Sequence, residues 1–464
     1  MKSISRRALT LYLLIIAFLI GSGFTYYNLA VNSNKWAMNR ANRHLYSGGG
    51  LACAGDITDR NGNILATTND GVRTYSEDKS VRMATLQTVG DGAGYIASGI
   101  QTAFKDELTG YTMLDGVYNL KRYGKGNDIS LTLDADICKA ALGAMNGYNG
   151  VVGVMNYKTG ELVCIVSTPT FDPLNKPSEE IEGMYLNKFF KGVYTPGSTF
   201  KILTLASGIE NISSLDSEIF RCELGKNGKG QALIGEGYVF CSGYHRSLSI
   251  EKAFNESCNS AFAELAVRLG TEKLTATAQT AGFNVQMPKI NGKISCSKST
   301  LNLNDATELD LGWAGIGQYT TLINPCHMLS LVSAIANGGT AVEPYVISKI
   351  TSPDGKNIYT YEKKEIGEYF TPSTAEKLKE YMRSNVKNNY GDYRFYGLEM
   401  CGKTGTAEIS DREDANPNAL FVGFSTNPQY PYSIIVVVED STYSIRTAVP
   451  VASKVMAAVK KANG

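Results

Sequence analysis

The sequence has little histidine and lacks the cysteine spacing of the common zinc motifs. It contains three histidines, His44, His245 and His327, and none has a second histidine at metal-binding spacing. Its nine cysteines include no Cys-x-x-Cys pair. This pattern predicts structural or surface roles for the histidines and no metal site.

The sequence also lacks an excess of charge of either sign. Lys and Arg total 45, Asp and Glu total 44, and the net charge is +1. Nothing in this balance indicates a nucleic-acid partner or a strongly acidic one. No solenoid repeat or long low-complexity linker occurs, and a chain of 464 residues that is 43% apolar suits two or three packed domains.

One long apolar run stands near the amino terminus. Residues 8–31 carry no charge, and as a helix they would span about 36 Å, enough for a hydrocarbon core of about 30 Å. Lys2, Arg6 and Arg7 precede the run and predict a cytoplasmic amino terminus, with the rest of the chain outside. A cleaved signal peptide is the alternative, although the run is longer than a usual signal core.

Two of the cysteines, Cys222 and Cys241, flank a Gly-rich loop. They could form a disulfide if the compartment is oxidising. Their spacing is not diagnostic, and free buried thiols are the alternative.

Turn and strand patterns organise the chain after the apolar run. Residues 55–66 predict a hairpin around an Asn-Gly turn, and the Gly-rich stretch to about residue 125 indicates a small module without strong periodicity. Strand patterns near both ends of the remaining region, with helices between them, predict one mixed sheet surrounded by helices. The strand patterns are at 127–134, 151–155, 161–167, 419–424 and 432–439, and helical patterns are at 136–145 and 449–461.

Three short polar motifs carry the chemistry. In chain order they are Ser198-Thr199-Phe200-Lys201, Ser257-Cys258-Asn259 and Lys403-Thr404-Gly405-Thr406. Alone, each motif is weak, because the first two are also typical of helix caps and the third of a strand with a solvated lysine. Together they supply a nucleophile, a base, a proton relay and an anion clamp, which suffices for acyl transfer through a covalent intermediate.

The first motif is predicted at the start of a helix. Apolar residues after Ser198 recur at helical spacing, and Lys201 lies one turn further along the same face. A neutral amine there could accept the serine proton. Burial and a second cation, for which Lys403 is the candidate, would have to lower the lysine pKa from about 10.4 to about 7, an effect on the order of 4 kcal/mol.

The second motif is predicted in a turn between two helices. Ser257 and Asn259 are two residues apart and can point to the same side of an extended turn. The Ser257 hydroxyl could pass a proton to a leaving amine, and the Asn259 amide could hold a peptide group.

The third motif is predicted on a strand over residues 398–409. The period of two puts Thr404 and Thr406 on one side, and Gly405 leaves room for an extended substrate to pair with the strand edge. Lys403 and the threonine hydroxyls suit a terminal carboxylate.

At these motifs the chain resembles the class B penicillin-binding proteins. Residues 194–201 are similar to the nucleophile segment of that family, and further similar segments are Asp59-Arg60-Asn61-Gly62, Phe171-Asp172-Pro173, Gly315-Ile316-Gly317-Gln318 and Ile323-Asn324-Pro325. The resemblance implies an α+β penicillin-binding transpeptidase fold with an antiparallel-rich central sheet and an all-helical subdomain. A transmembrane helix and a small α+β pedestal domain would precede it. The implied units are a cytoplasmic amino terminus (1–7), a transmembrane anchor (8–31), a pedestal (32–125) and a transpeptidase domain (126–464).

The resemblance also implies catalytic roles in a peptidoglycan D,D-transpeptidase. Ser198 would attack the D-Ala–D-Ala carbonyl of a stem peptide, Lys201 would accept its proton, and Ser257 would relay a proton to the departing D-alanine. The N–H groups of Ser198 and Thr406 would form the oxyanion hole.

Substrate-binding roles follow from the same resemblance. Asn259 would bind the amide of the donor peptide. Lys403, Thr404 and Thr406, with Gly405 between the threonines, would hold the terminal carboxylate.

The implied partners are peptidoglycan stem peptides, β-lactams that acylate Ser198, the membrane and a polytopic membrane glycosyltransferase. No cofactor and no nucleic acid are expected. The alternatives are a D,D-carboxypeptidase or serine β-lactamase, in which water completes the reaction, and a non-catalytic β-lactam-binding scaffold or sensor. Roles in elongation, division and spore formation all remain open.

Overall fold

The computed structural model describes residues 2–39, 45–47, 50–112, 124–407, 416–441 and 444–464, so His44 lies outside the described residues. Its α-helices are α1 (Lys2–Ala37), α2 (Lys79–Val89), α3 (Ile100–Ala103), α4 (Lys105–Thr109), α5 (Ala135–Met145), α6 (Lys188–Lys191), α7 (Lys201–Asn211), α8 (Ile250–Asn255), α9 (Asn259–Thr280), α10 (Glu308–Gly315), α11 (Pro325–Ala336), α12 (Pro372–Asn385) and α13 (Ala448–Asn463).

The β-strands alternate with these helices along the described chain. They are β1 (Tyr46–Ser47), β2 (Gly50–Leu51), β3 (Ile57–Thr58), β4 (Ile64–Asn69), β5 (Val72–Tyr75), β6 (Asp128–Leu131), β7 (Gly150–Asn156), β8 (Leu162–Thr168), β9 (Ile219–Leu224), β10 (Gly230–Ile234), β11 (Gly237–Phe240), β12 (Arg246–Ser249), β13 (Thr340–Val342), β14 (Ile347–Thr351), β15 (Asn357–Thr360), β16 (Glu365–Glu368), β17 (Met400–Ala407), β18 (Asn418–Ser425) and β19 (Tyr432–Val438).

The first helix, α1, contains the predicted anchor. Its apolar stretch Ile4–Ser33 is 30 residues long, and its most apolar part packs against nothing else in the described chain. A helix of this length and apolarity is suited to cross a bilayer once.

The central sheet has five antiparallel strands in the order β17-β18-β19-β7-β8. Helices cover both of its faces, as two neighbouring residues of β19 show. The Ser433 hydroxyl contacts Ser333 on α11 at 2.5 Å, whereas the Tyr432 hydroxyl donates to Asn463 on α13 at 2.8 Å. Successive strand residues point to opposite faces, so α11 and α13 lie on opposite sides. The predicted sheet with surrounding helices is therefore confirmed for the patterns at 151–155, 161–167, 419–424 and 432–439, with β17 at an edge. The prediction of a single mixed sheet was wrong, because these strands are all antiparallel and the pattern at 127–134 forms β6 in another sheet.

The helical region beside β17 also carries a sheet that the sequence did not predict. Four strands in the order β11-β10-β9-β12 lie between α7 and α8 in the chain and pack against α9. The predicted Gly-rich loop is therefore a meander of the short antiparallel strands β9, β10 and β11. Strand β12 then pairs with the other edge of β9, with Arg246 opposite Cys222.

A further sheet has six strands in the order β15-β14-β6-β3-β4-β5, of which β3 to β6 come from the first third of the chain and β14 and β15 from a later part. The predicted hairpin is confirmed, because β3 and β4 pair antiparallel with Ile57 opposite Ala66. Strand β6 joins β3 in parallel. The sheet thus includes strands from both sides of the predicted pedestal boundary at residue 125.

Candidate active site

The turn before α7 carries Ser198. Residues Gly197–Thr199 form a single 3₁₀ turn, and α7 follows from Lys201. Gly197 has a φ of +51°, and a β-carbon on it would lie 2.5 Å from the carbonyl oxygen of Thr406. Glycine both permits this conformation and lets the turn approach β17 closely. Ser198 therefore lies at a helix start beside the third motif, as the sequence predicts.

Lys201 connects the first two motifs. Its Nζ lies 3.1 Å from Oγ of Ser198, 3.2 Å from Oγ of Ser257 and 2.6 Å from Oδ1 of Asn259. The carbonyl oxygen of Ser257 also accepts from this nitrogen, at 2.7 Å. The side chain is completely buried. Burial, followed by the charge of Lys403, lowers the Lys201 pKa from 10.5 to about 7.

Ser257 lies in the turn between α8 and α9, where the chain adopts a left-handed conformation with φ +54°. Its Oγ accepts a hydrogen bond from Nζ of Lys403 at 2.9 Å. Asn259 begins α9, and its Nδ2 donates to the carbonyl oxygen of Phe240 at 2.7 Å. Both side chains contact Lys201, so the predicted inter-helix turn does point them to one side.

Lys403 is the second buried lysine of the site. It lies on β17 with its side chain fully buried, and burial lowers its pKa to about 7. Besides Ser257, its Nζ contacts the carbonyl oxygen of Thr404 at 3.2 Å. The two lysine nitrogens thus share one serine hydroxyl between them.

The reason for a glycine at position 405 differs from the one predicted. A β-carbon there would lie 2.5 Å from the carbonyl oxygen of Pro196 and 2.9 Å from Cγ2 of Thr199. The missing side chain allows β17 to pack against the Ser198 turn, whereas the sequence interpretation assigned that space to an extended substrate. The predicted strand itself is confirmed as Met400–Ala407, and its predicted end at 408–409 lies outside the described residues.

Two residues that no motif marked support the threonines of β17. The Tyr390 hydroxyl lies 2.9 Å from Oγ1 of Thr404 and accepts from the Thr404 backbone N–H at 3.0 Å. Ser444 lies 3.0 Å from Oγ1 of Thr406 and donates to the carbonyl oxygen of Gly405 at 2.5 Å. Both are ordinary polar residues that lie outside the three motifs, so only the fold identifies them.

The three motifs therefore converge in one place. Oγ of Ser198, Nζ of Lys201, Oγ of Ser257 and Nζ of Lys403 form a continuous hydrogen-bonded chain. This chain offers a nucleophile, a lysine amine that can be neutral near pH 7, a hydroxyl relay and a second lysine that can carry a positive charge. Such an arrangement is suited to acyl transfer and needs no bound cofactor for these steps.

The histidines divide into two cases. His327 is buried, with Nδ1 2.7 Å from Oγ of Ser299 and Nε2 2.8 Å from the carbonyl oxygen of Ala281. Burial lowers its pKa to about 4, as expected for a structural residue. His245, in contrast, lies within a cluster with Cys222, Cys241 and Cys258, although the sequence spacing predicted no metal-ligand cluster.

The cysteines of the described chain are all free. The sulfurs of Cys222 and Cys241 lie 3.8 Å apart, a contact distance rather than the roughly 2.05 Å of a disulfide. In this structure Cys222 and Cys241 are therefore neighbouring free thiols and do not form a disulfide.

Comparison with known proteins agrees with this geometry. A family model described as the penicillin binding protein transpeptidase domain matches residues 150–457. "Peptidoglycan D,D-transpeptidase PbpA" of Mycolicibacterium smegmatis is 26% identical over 374 residues, which cover 75% of each chain. "Penicillin-binding protein 3" of Bacillus subtilis is 26% identical over 362 residues, which cover 73% of this chain and 52% of that protein.

Solved structures share the fold. A ceftriaxone acyl-enzyme complex of penicillin-binding protein A from Mycobacterium tuberculosis aligns with a TM-score of 0.77 at 23% identity, covering 88% of this chain and 98% of that one. The D,D-transpeptidase domain of a peptidoglycan glycosyltransferase from Eggerthella lenta aligns with a TM-score of 0.73 at 24% identity, covering 89% and 99%.

Proposed function

The chain belongs to the penicillin-binding protein transpeptidase family and is a peptidoglycan D,D-transpeptidase of class B, and we propose that Ser198 is its nucleophile and Lys201 its general base. The observation that carries this proposal is the 3.1 Å contact between Oγ of Ser198 and Nζ of Lys201, a buried amine with a pKa near 7. At neutral pH about half of such an amine is uncharged and able to accept a proton.

In the first half-reaction Oγ of Ser198 attacks the carbonyl carbon between the two terminal D-alanines of a donor stem peptide. The serine proton moves to Nζ of Lys201, and the N–H groups of Ser198 and Thr406 stabilise the tetrahedral oxyanion. The peptide bond then breaks, and Ser257 relays a proton to the nitrogen of the departing D-alanine. The hydrogen bonds from both lysines to Oγ of Ser257 support this relay.

In the second half-reaction an amine of another stem peptide attacks the acyl-enzyme. Its nitrogen loses a proton to Lys201, a new amide bond forms, and Ser198 regains its proton as it leaves. A β-lactam follows only the first half, because opening its ring forms the ester with Ser198 while the leaving group stays attached.

Substrate orientation is assigned to the second and third motifs. The ammonium of Lys403 and the hydroxyls of Thr404 and Thr406 hold the terminal carboxylate, and Asn259 holds a donor amide. The partial exposure of both threonines supports this role, since their neighbours on β17 are buried. We include Gly405 in the binding strand because its backbone joins the two threonines.

We extend the proposal to the organisation of the chain. Helix α1 anchors it with residues 1–7 in the cytoplasm, followed by a pedestal (32–125) and a transpeptidase domain (126–464) outside. Protease added to intact cells should then digest both units and spare the amino terminus. A class B enzyme makes no glycan strand itself, so a polytopic membrane glycosyltransferase is the partner that we expect to co-purify with the full chain.

The mechanism is tested by exchange of the terminal D-alanine. The full chain in detergent is incubated with a synthetic stem pentapeptide and a fluorescent D-amino acid. Wild-type protein should give fluorescent pentapeptide, and both Ser198→Ala and Lys201→Met should give less than about one-hundredth of that product. Ser213→Ala, in a turn after α7, is the matched control and should retain the activity.

Two outcomes would contradict the proposal. Product formation by Ser198→Ala would mean that another residue is the nucleophile. Wild-type protein that releases D-alanine yet never incorporates the labelled amine would instead be a D,D-carboxypeptidase.

A further inference from the structure

A cluster of four metal-ligand side chains lies directly behind the second motif. They come from four separate segments: Cys222 from β9, Cys241 just after β11, His245 just before β12, and Cys258 at the start of α9. Their ligand atoms all lie within 4.8 Å of one another. The three thiols are buried and the imidazole is half-buried, so the cluster is nearly closed to solvent.

Three of the six distances between ligand atoms in this cluster match those of a tetrahedron. The sulfur of Cys241 lies 3.8 Å from that of Cys222 and 3.8 Å from that of Cys258, and Nδ1 of His245 lies 3.7 Å from the sulfur of Cys222. A tetrahedral zinc ion with Zn–S bonds of about 2.3 Å and a Zn–N bond of about 2.0 Å separates two sulfurs by about 3.8 Å, and a sulfur from the nitrogen by about 3.5 Å. Three cysteines and one histidine are also one of the common ligand sets of structural zinc.

We propose that Cys222, Cys241, His245 and Cys258 bind one structural Zn²⁺ ion. Because four protein ligands complete the tetrahedron, no position remains for a water or substrate, and the ion takes no chemical part in acyl transfer. Thiolate and neutral imidazole are the ligand forms, so binding releases the thiol protons.

The surroundings of the four ligands support this assignment. The backbone N–H of Ser260 donates to the sulfur of Cys241 at 3.3 Å, and its hydroxyl donates to the sulfur of Cys222 at 3.6 Å. Such outer hydrogen bonds orient the thiolates of metal sites. A β-carbon at Gly230 would lie 2.2 Å from the sulfur of Cys222, so the glycine leaves the space that the ligand occupies.

The site links the four-stranded sheet to the active site. Cys258 stands between Ser257 and Asn259, and Asn259 is also tied to Phe240, the residue before Cys241, at 2.7 Å. An ion held by the sheet and by Cys258 would fix the turn that presents both residues to Lys201. The zinc ligands are therefore positioning residues for the second motif.

Metal content of the wild-type full chain is the first test. The protein, purified in detergent without chelator and dialysed against metal-free buffer, should retain about one zinc per chain by plasma mass spectrometry. His245→Ala and Cys222→Ala should retain less than about a tenth of that amount, whereas His245→Cys should keep the zinc as a four-cysteine site. Cys296→Ala and Cys326→Ala remove buried cysteines outside the cluster and are the matched controls.

The positioning role needs a second readout. Exchange of the wild-type zinc for Co²⁺ should produce thiolate-to-cobalt absorption, which His245→Ala should lack. Removal of zinc by a chelator should slow β-lactam acylation of wild-type protein at least about tenfold, and added Zn²⁺ should restore the rate. The same treatment should leave the rate of His245→Ala unchanged.

The proposal is overturned if wild-type protein dialysed against micromolar Zn²⁺ and then metal-free buffer holds no zinc. It is equally overturned if an intact mass two hydrogens lighter than the reduced chain shows a disulfide within the cluster. Ser198→Ala should still bind one zinc, so this test does not depend on the nucleophile assignment.

Discussion

Replacing Lys403 with methionine tests how the site keeps Lys201 neutral. Both lysine nitrogens contact Oγ of Ser257, at 3.2 Å and 2.9 Å, so they lie no more than about 6 Å apart. At that separation and an effective dielectric constant of about 20, two positive charges repel by about 3 kcal/mol, equivalent to a pKa difference of about 2. Burial contributes more to the lowering of the Lys201 pKa than this charge does.

The methionine variant removes the charge and keeps the burial. The pKa of Lys201 should therefore rise from about 7 towards 8 or 9 without returning to 10.5. The acylation rate depends on the neutral amine, so its acid limb should move to higher pH by about 1 to 2 pH units. The maximum rate should also fall, because the carboxylate of the β-lactam loses its cationic partner.

The assay is the second-order rate of labelling by a fluorescent penicillin between about pH 5.5 and 9.5, where the penicillin carboxylate stays ionised. Thr404→Val is the matched control, since it weakens carboxylate binding and keeps the ammonium. Its rate should fall with the midpoint unchanged near pH 7. If Lys403→Met also leaves the midpoint in place, or lowers it, the assignment of Lys201 as a base activated in part by Lys403 is wrong.

Three further changes test the packing around the site. Gly405→Ala should slow acylation about 10- to 100-fold, because its β-carbon would meet the Pro196 carbonyl oxygen at 2.5 Å and displace the Ser198 turn; an unchanged rate would contradict this contact. Gly143→Ala, on α5 with nothing within 4 Å, should instead raise the free energy of unfolding by about 0.5 to 1 kcal/mol in urea titrations, with no effect on acylation. Asp172→Ala leaves the nearly buried Arg82 guanidinium without the carboxylate it binds at 2.7 Å, and should lower the same free energy by about 3 kcal/mol; a loss below about 0.5 kcal/mol would show that the pair behaves as an exposed one.

The motif-bearing elements were predictable because their signals are local. The apolar spacing after Ser198 marks helix α7, and the alternation around Thr404 and Thr406 marks strand β17. Acyl transfer by these motifs requires Ser198, Lys201 and Lys403 to lie close together, and in the structure they belong to one hydrogen-bonded chain.

Other features depend on contacts between distant segments and leave no local pattern. The sequence pattern did not predict helix α2, because the second half of this helix buries polar Thr and Gln residues along with apolar ones. The sequence therefore lacks the apolar stripe at helical spacing that marks an amphipathic helix. The Cys/His cluster was missed because strand pairing, such as Arg246 opposite Cys222, brings its members together across 36 residues of chain. The reason for Gly405 is likewise a tertiary contact.

The most direct test of the central claim is the site of acylation by benzylpenicillin in the full-length wild-type chain. Intact mass spectrometry followed by peptide mapping should find one penicilloyl group per chain, attached to Oγ of Ser198. A stable adduct on any other residue, or a folded protein that forms none, would contradict the account.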